Sequence, residues 1–325
     1  MSSVPRELLL RTELDATLRP TEWDAYIGQQ HVKENLKIAL EAAHSRGELP
    51  EHFLFYGPPG VGKTTLAHVI SNNIGRAPRV TSGVAIERAA DLATILTNLE
   101  AGDVLFIDEI HRLNKKVEEL LYPALEAGRL DIVLGKGPTA RTVQLNLEPF
   151  LLIGATTRIA EVSSPLRSRF GGGVYQLELY KDEDIATILE RSASLINFPL
   201  PKEVLSSIAS RSRQTPRTAN ALLKRFRDYT SVKGKEPSTE LFEEACVLFG
   251  VDKKGLTRDD QRYLHTLIHT FRGGPTGLRN IATALHEEPS TLEDLYEPFL
   301  FAKGFIERTP RGRIATPRAH EHVEE

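Results

Sequence analysis

Between residues 52 and 179 the chain repeats one pattern, a short apolar run followed by a stretch of helical periodicity. Runs at residues 52–56, 79–81, 104–107, 150–155 and 174–179 are too short for helices. They predict strands buried on both faces, in a parallel sheet covered by helices on each side. One stretch breaks the pattern. Residues 129–134 and 140–147 alternate apolar with polar positions around Gly135, Gly137 and Pro138, which predicts a β-hairpin inserted into the α/β unit. Leu130, Ile132 and Leu134 share one face of its first strand, and Val143, Leu145 and Leu147 share one face of the second. The insertion is therefore expected to carry an apolar docking surface rather than core.

From about Asp182 to Phe249 the strand signals stop. IATILERSASLI and TANALLKRFRDY have helical spacing, with Pro199, Pro201 and Pro237 at boundaries, so a small all-helical domain follows. After Val251 come short helices and then FAKGFIERTPRGRIATPRA, in which two apolar runs flank a basic turn. That order suggests a winged helix-turn-helix. The expected domains are residues 1–181, 182–250 and 251–325.

Composition narrows the function classes. Lys plus Arg number 41 against 44 Asp plus Glu, so any polyanion must be held by a local patch rather than by net charge. The tip around Arg308, Arg311 and Arg313 is such a patch. Pro310 and Gly312 between the arginines favour an exposed turn with few groups for reading base edges, which suits grip on the DNA backbone irrespective of sequence. The basic run 211–235 opposes eight cations to Asp228 alone, and is expected to be part solvated face and part phosphate-facing. Cys246 is the single cysteine, which excludes an internal disulfide and fits a reducing cytosol. The first fifteen residues are broken by charge too early for a signal peptide, and no apolar run approaches the roughly 18 residues of a membrane helix. A cytoplasmic protein with no membrane contact is expected. His265 and His269 share a helix face but lack a third metal ligand, so they are expected to be a plain surface pair.

The chemistry lies in four segments. Gly57, Gly62, Lys63 and Thr64 in GPPGVGKTT have P-loop spacing, between a strand (LFY) and a helix (TLAHVISNNI). Glycines let backbone N–H groups approach phosphate oxygens, Lys63 reaches the outer phosphates, and the Thr64 hydroxyl ligates Mg²⁺. VLFIDEIH ends a strand in Asp108, placed to hold the metal through water, and Glu109, placed to polarise the attacking water. His111 is read as orienting its neighbours. GATTR puts Thr156 or Thr157 beside the γ-phosphate as a polar sensor, Thr157 being the catalytic assignment. In SSPLRSRFGG, Arg167 or Arg169 lies where an arginine finger would act, or where a surface arginine would pair with an acid.

With a P-loop, DEIH, GATTR, PLRSRFG and TPR in this order, the chain resembles the AAA+ ATPases and, within them, the RuvB family of Holliday junction motors. The matching segments run from LRPTEWDAYIGQ through RGGPTGL to RTPRGRIATP, roughly residues 18–316. The resemblance implies an AAA+ P-loop core with an inserted β-hairpin, an all-helical lid and a C-terminal winged helix. It implies that Leu18, Arg19, Tyr26 and Ile27 surround the base and sugar of ATP, and that Gly60, Gly62, Lys63, Thr64, Thr65, Tyr180 and Arg217 contact the nucleotide. Arg169 would act in trans on a neighbour, and Arg217 would be the second sensor. The hairpin 129–147 would dock RuvA. Six subunits would ring duplex DNA at Holliday junctions, with RuvC as a further partner. Several segments depart from the family pattern. SGVAIERAADL replaces a segment with Pro and Gly, and Glu126, Ala127 and Gly128 replace EDF. Gln214 stands where glycine is common, and RFGGGVYQLELY is one residue longer, which is expected to displace Arg169 or Tyr180.

Overall fold

In a computed structural model of the chain, residues 17–134 and 141–324 are described, with the backbone alone for residues 132–134, 141 and 142. The first fifteen residues and the hairpin turn with Gly135, Gly137 and Pro138 thus lie outside the described residues. Two compact units divide the chain, Met1–Tyr180 and Lys181–Glu325.

In the first unit, helix α1 (Gln30–Arg46) precedes strand β1 (Phe53–Tyr56), then α2 (Lys63–Ile74), β2 (Pro78–Ser82), α3 (Ala89–Thr97) and β3 (Val104–Asp108). Helix α4 (Lys115–Ala127) follows. Its N-cap Asn114 accepts from Val117 N at 3.1 Å, and Gly128 closes it at a φ of 59° that glycine takes without strain. The chain then forms β4 (Arg129–Leu134), β5 (Arg141–Asn146), β6 (Leu151–Thr156), the short helix α5 (Ser164–Arg167) and β7 (Gly173–Gln176).

Five strands pair in parallel in the order β2-β3-β6-β1-β7. The non-sequential neighbours require helical crossovers, which is why helices cover the sheet. The three inner strands are buried as expected. The two edge strands are not: Val80 in β2 is 55% exposed and Val174 in β7 is 41% exposed. An edge strand has one neighbour and less cover, so burial on both faces holds only for the centre of this sheet. Leu54, Leu105, Ile107 and Leu152 form one core with Leu92 and Leu96 of α3 and Val117 and Leu121 of α4.

The hairpin pairs β4 with β5 in antiparallel register, Leu130 opposite Leu145 and Ile132 opposite Val143. Its apolar face divides. Leu130 is wholly buried in the sheet's core and Leu147 packs against that core, whereas Val143 and Leu145 remain more than a third exposed. The base of the hairpin is therefore core, contrary to the expectation of one continuous docking face. The side chains of Ile132 and Leu134 lie outside the described residues.

The second unit begins with α6 (Asp182–Leu195), α7 (Lys202–Ser210), α8 (Pro216–Lys233) and α9 (Thr239–Phe249). Helices α10 (Arg258–His265), α11 (Leu278–Leu285) and α12 (Glu297–Ala302) follow, then the hairpin β8 (Ile306–Thr309) and β9 (Gly312–Ala315), and α13 (Pro317–Glu324). Helices followed by a two-stranded wing match the expected winged helix. Thr276 of RGGPTGL exchanges both backbone hydrogen bonds with Arg313, so this loop lines the wing as a third edge. The link from α7 to α8 is tight, with Arg213 and Gln214 both left-handed at φ 55° and 56°. Arg213 is fixed by Asp260 at 3.1 Å, by the Leu295 carbonyl at 2.9 Å and by the ring of Phe299. Arg211 is buried against Glu243. The front of the basic run is thus neither solvated nor turned to phosphate, but ties α7 to α9 and to the winged helix.

Candidate nucleotide-hydrolysis site

The site lies at the carboxyl ends of β1, β3 and β6, where a parallel sheet with helices on both faces opens a crevice. Gly57 leaves β1 at φ 143°, and a Cβ there would stand 2.2 Å from the Leu177 carbonyl oxygen, so only glycine fits. Gly62 caps α2 at φ 98° without any side-chain hydrogen bond to the helix end. The first-turn N–H groups of α2 therefore face the loop uncapped by a side chain, as an anion site at a helix N-terminus requires. Lys63 is buried, and its Nζ donates to the carbonyls of Gly57 at 2.7 Å and Pro58 at 2.9 Å. Thr64 and Thr65 follow in the first turn, half-buried. The cradle of glycine backbone, uncapped helix end and buried ammonium fits a polyphosphate.

Asp108 ends β3, and its Oδ1 accepts from Glu109 N at 3.0 Å. Glu109 is left-handed at φ 48° and begins a short 3₁₀ turn. Backbone strain at a non-glycine residue survives only where neighbours enforce it. Gly83 makes room for the turn, since a Cβ on it would lie 2.4 Å from the Glu109 carbonyl oxygen, and its N–H holds the preceding Asp108 O at 2.8 Å. The Glu109 carboxylate accepts from the Thr157 hydroxyl at 3.2 Å and lies 3.2 Å from His111 Nδ1. His111 Nδ1 is also 2.9 Å from the hydroxyl of fully buried Thr156, which accepts from Arg158 N at 2.9 Å. Burial holds the His111 pKa below the usual value, against the pull of Glu109 and Glu161, so the ring is neutral near pH 7. The two threonines are thereby separated: Thr157 touches the acid, and Thr156 anchors the histidine.

Beside the loop, buried Tyr26 and Tyr180 close on Gly62, with their hydroxyls 3.2 and 3.7 Å from where its Cβ would stand. Burial and the neighbouring Tyr180 raise the Tyr26 pKa well above the usual phenol value. Leu18 is buried, Ile27 is half-buried, and Arg19 donates to His68 Nε2 of α2 at 2.9 Å.

Three models of known domains match successive stretches of this chain. The model for the Holliday junction DNA helicase RuvB P-loop domain covers residues 18–176, the RuvB AAA lid domain 180–252, and the RuvB C-terminal winged helix domain 253–324. The chain belongs to the RuvB family. The RuvB subunit of the Holliday junction branch migration complex from Lawsonia intracellularis is 50% identical over 323 residues, which covers 99% of this chain and 94% of that one. Its counterpart from Dehalococcoides mccartyi is 52% identical over 312 residues, with coverage of 96% and 89%. The solved RuvB Holliday junction branch migration motor of Thermotoga maritima superposes with a TM-score of 0.85 at 45% identity, over 95% of this chain and 98% of that one.

RFGGGVYQLELY, whose length was expected to displace Arg169 or Tyr180, leaves Tyr180 on Gly62 and Gly28. The tight turn takes up the glycines: a Cβ on Gly172 would stand 2.6 Å from Glu51 O. Arg169 follows α5 and is bound within its own chain, by Glu126 at 3.0 Å, by the Pro165 carbonyl at 2.7 Å and by the ring of Tyr122 at 4.5 Å. Arg217 lies in the first turn of α8, in the second unit. On the wing, Arg308 and Arg311 are exposed. Arg313 is not: it is 6% exposed and closed in an ion pair with Glu297, so it is withdrawn as a DNA-gripping residue. His265 and His269 lie 4.2 Å apart between ring centroids with their planes tilted by 48°, and no cluster of metal-ligand type occurs among the described residues. Three contributors carry no sequence signal of their own. Gln29 clamps both backbone groups of Glu178, at 2.7 and 3.1 Å, so the IGQ segment is tied to the segment between β7 and Tyr180. His68 and Gly83 likewise act through contacts between residues distant in sequence or backbone-only, which no motif announces.

Proposed function

We propose that this chain is an ATP-driven ring motor that moves duplex DNA through Holliday junctions in recombination and repair, in the cytoplasm. The observation that carries the reading is the meeting of Lys63, Asp108, Glu109 and Thr157 at one sheet edge, in a chain that also carries a winged helix. ATP phosphates would lie on Gly60, Gly62, Lys63, Thr64 and Thr65. Mg²⁺, held by the Thr64 hydroxyl and by Asp108 through water, would supply charge neutralisation of the phosphates. Glu109, aimed by Thr157 and by neutral His111, orients the attacking water and takes its proton. Tyr26, Tyr180, Leu18, Arg19 and Ile27 receive the base and sugar, and Arg217 is assigned the role of second sensor. Arg169 serves a neighbouring subunit in a hexamer, the outer hairpin docks RuvA, and RuvC acts on the same junctions. The boundaries near residues 181 and 250 mark three working domains.

A ring ATPase that remodels protein would share the nucleotide site, and the winged helix with exposed Arg308 and Arg311 argues for DNA instead. Measuring ATP hydrolysis with and without duplex DNA separates the two. Stimulation by duplex, abolished in Lys63→Ala, is expected. Glu109→Gln should retain ATP but lose turnover by about 10² to 10⁴. No response to DNA, or parental turnover in Glu109→Gln, would sink the reading.

A further inference from the structure

Helix α4 carries Glu118, Tyr122 and Glu126 four residues apart, hence on one face. Each touches the segment that ends in Arg169. Glu118 is buried, and its Oε1 accepts from the Tyr122 hydroxyl at 2.8 Å and from the Ser163 hydroxyl. Ser163 Oγ in turn caps α5 by accepting from Leu166 N at 3.2 Å. The Tyr122 ring lies 4.5 Å from the Arg169 guanidinium, Glu126 accepts from Nη2, and the Pro165 carbonyl accepts from Nη1. Arg169 Nε is buried with no hydrogen-bond partner among the described residues.

We propose that Tyr122, braced by Glu118 and Ser163, is the positioning residue of Arg169. Of the groups around the guanidinium, Glu126 is 67% exposed, and an exposed ion pair holds a long side chain weakly. The Pro165 carbonyl moves with α5, four residues before Arg169 on the same segment. Glu126 and Tyr122 both come from α4, and of the two it is the Tyr122 ring that is itself fixed, because its hydroxyl is locked to a buried carboxylate. It gives the cation a flat, apolar-sided seat. An arginine left to itself samples many rotamers, and holding it in one removes that search before the neighbour's nucleotide arrives. The consequence is directional: Tyr122 governs hydrolysis in the adjoining subunit's site and not in its own.

This rests on Arg169 acting in trans, and mixed rings test the two separately. Lys63→Ala subunits supply only an arginine, Arg169→Ala subunits supply only a P-loop, and their mixture should recover ATP hydrolysis. Tyr122→Leu placed in the Lys63→Ala subunit should lower the recovered kcat by roughly 10- to 100-fold with KM for ATP unmoved. Placed in the Arg169→Ala subunit it should leave the recovered rate as it was, which also shows that the substitution folds. Tyr122→Phe, which keeps the ring, should retain most of the rate in either place. Equal losses in both placements would make Tyr122 merely structural, and no loss in either would leave it without a role. If the mixture lacking any Tyr122 change recovers nothing, the trans reading itself fails and the proposal falls with it.

Discussion

Arg313 turns inward onto Glu297, its Nε and Nη2 donating to the two carboxylate oxygens at 2.8 and 2.9 Å, while the Tyr263 hydroxyl donates to Oε1 at 2.9 Å. Both charges are buried, so removing one strands the other. Arg313→Ala should cost about 3–5 kcal/mol, seen as a lower urea midpoint for the second unit. Arg308→Ala with Arg311→Ala should leave that midpoint alone and flatten the salt dependence of DNA binding by nearly two units, about 0.9 for each arginine that no longer meets a phosphate. Unchanged salt dependence would move the DNA grip off the wing.

Along the hairpin, substitutions at its two ends should separate stability from docking. Leu130→Ala opens a cavity in the core and should destabilise the first unit by about 2–5 kcal/mol. Val143→Glu, at a site already 38% exposed, should leave the melting temperature and DNA-independent ATP hydrolysis unchanged while abolishing stimulation by RuvA. Normal stimulation in Val143→Glu would take docking away from this face.

Gln214 holds a left-handed φ of 56°, which disfavours any residue with a Cβ. Relieving that strain outweighs the extra unfolded-state freedom of glycine, so Gln214→Gly should raise stability by about 0.5–1 kcal/mol. Gln214→Ala should not. Thermal melts of the two variants against the parent decide it.

His52 Nδ1 accepts from Leu152 N at 3.0 Å, and burial lowers the imidazole pKa to about 4. The unfolded chain binds the proton near 6.5, the folded one only near 4. Stability from this group is therefore complete above pH 6.5 and is lost as pH falls through 4, by at most about 3 kcal/mol. Urea titrations from pH 7 to 4.5 should show the parent losing more stability than His52→Gln. Parallel losses would show that His52 is not the titrating group.

The P-loop, the DEIH acids, the sheet strands and the wing were legible because each is written in consecutive residues whose spacing matches a backbone period or a phosphate. What the chain does with long-range pairs was not. Nothing near Arg313 announces that Glu297 lies across from it, and a basic turn looks the same whether an arginine points out or in. The face of Leu130 obeys strand alternation, yet alternation cannot say where along the hairpin the core ends. Arg211 and Arg213 read as charge and act as ties, because their partners stand 32 and 47 residues away.

Gly83 backs onto the Glu109 carbonyl with no room for a Cβ. This sets a boundary on substitution. A methyl at position 83 would have to displace the Glu109 carbonyl, and with it the left-handed turn at 109. Two residues 26 positions apart thus act as one mechanical unit.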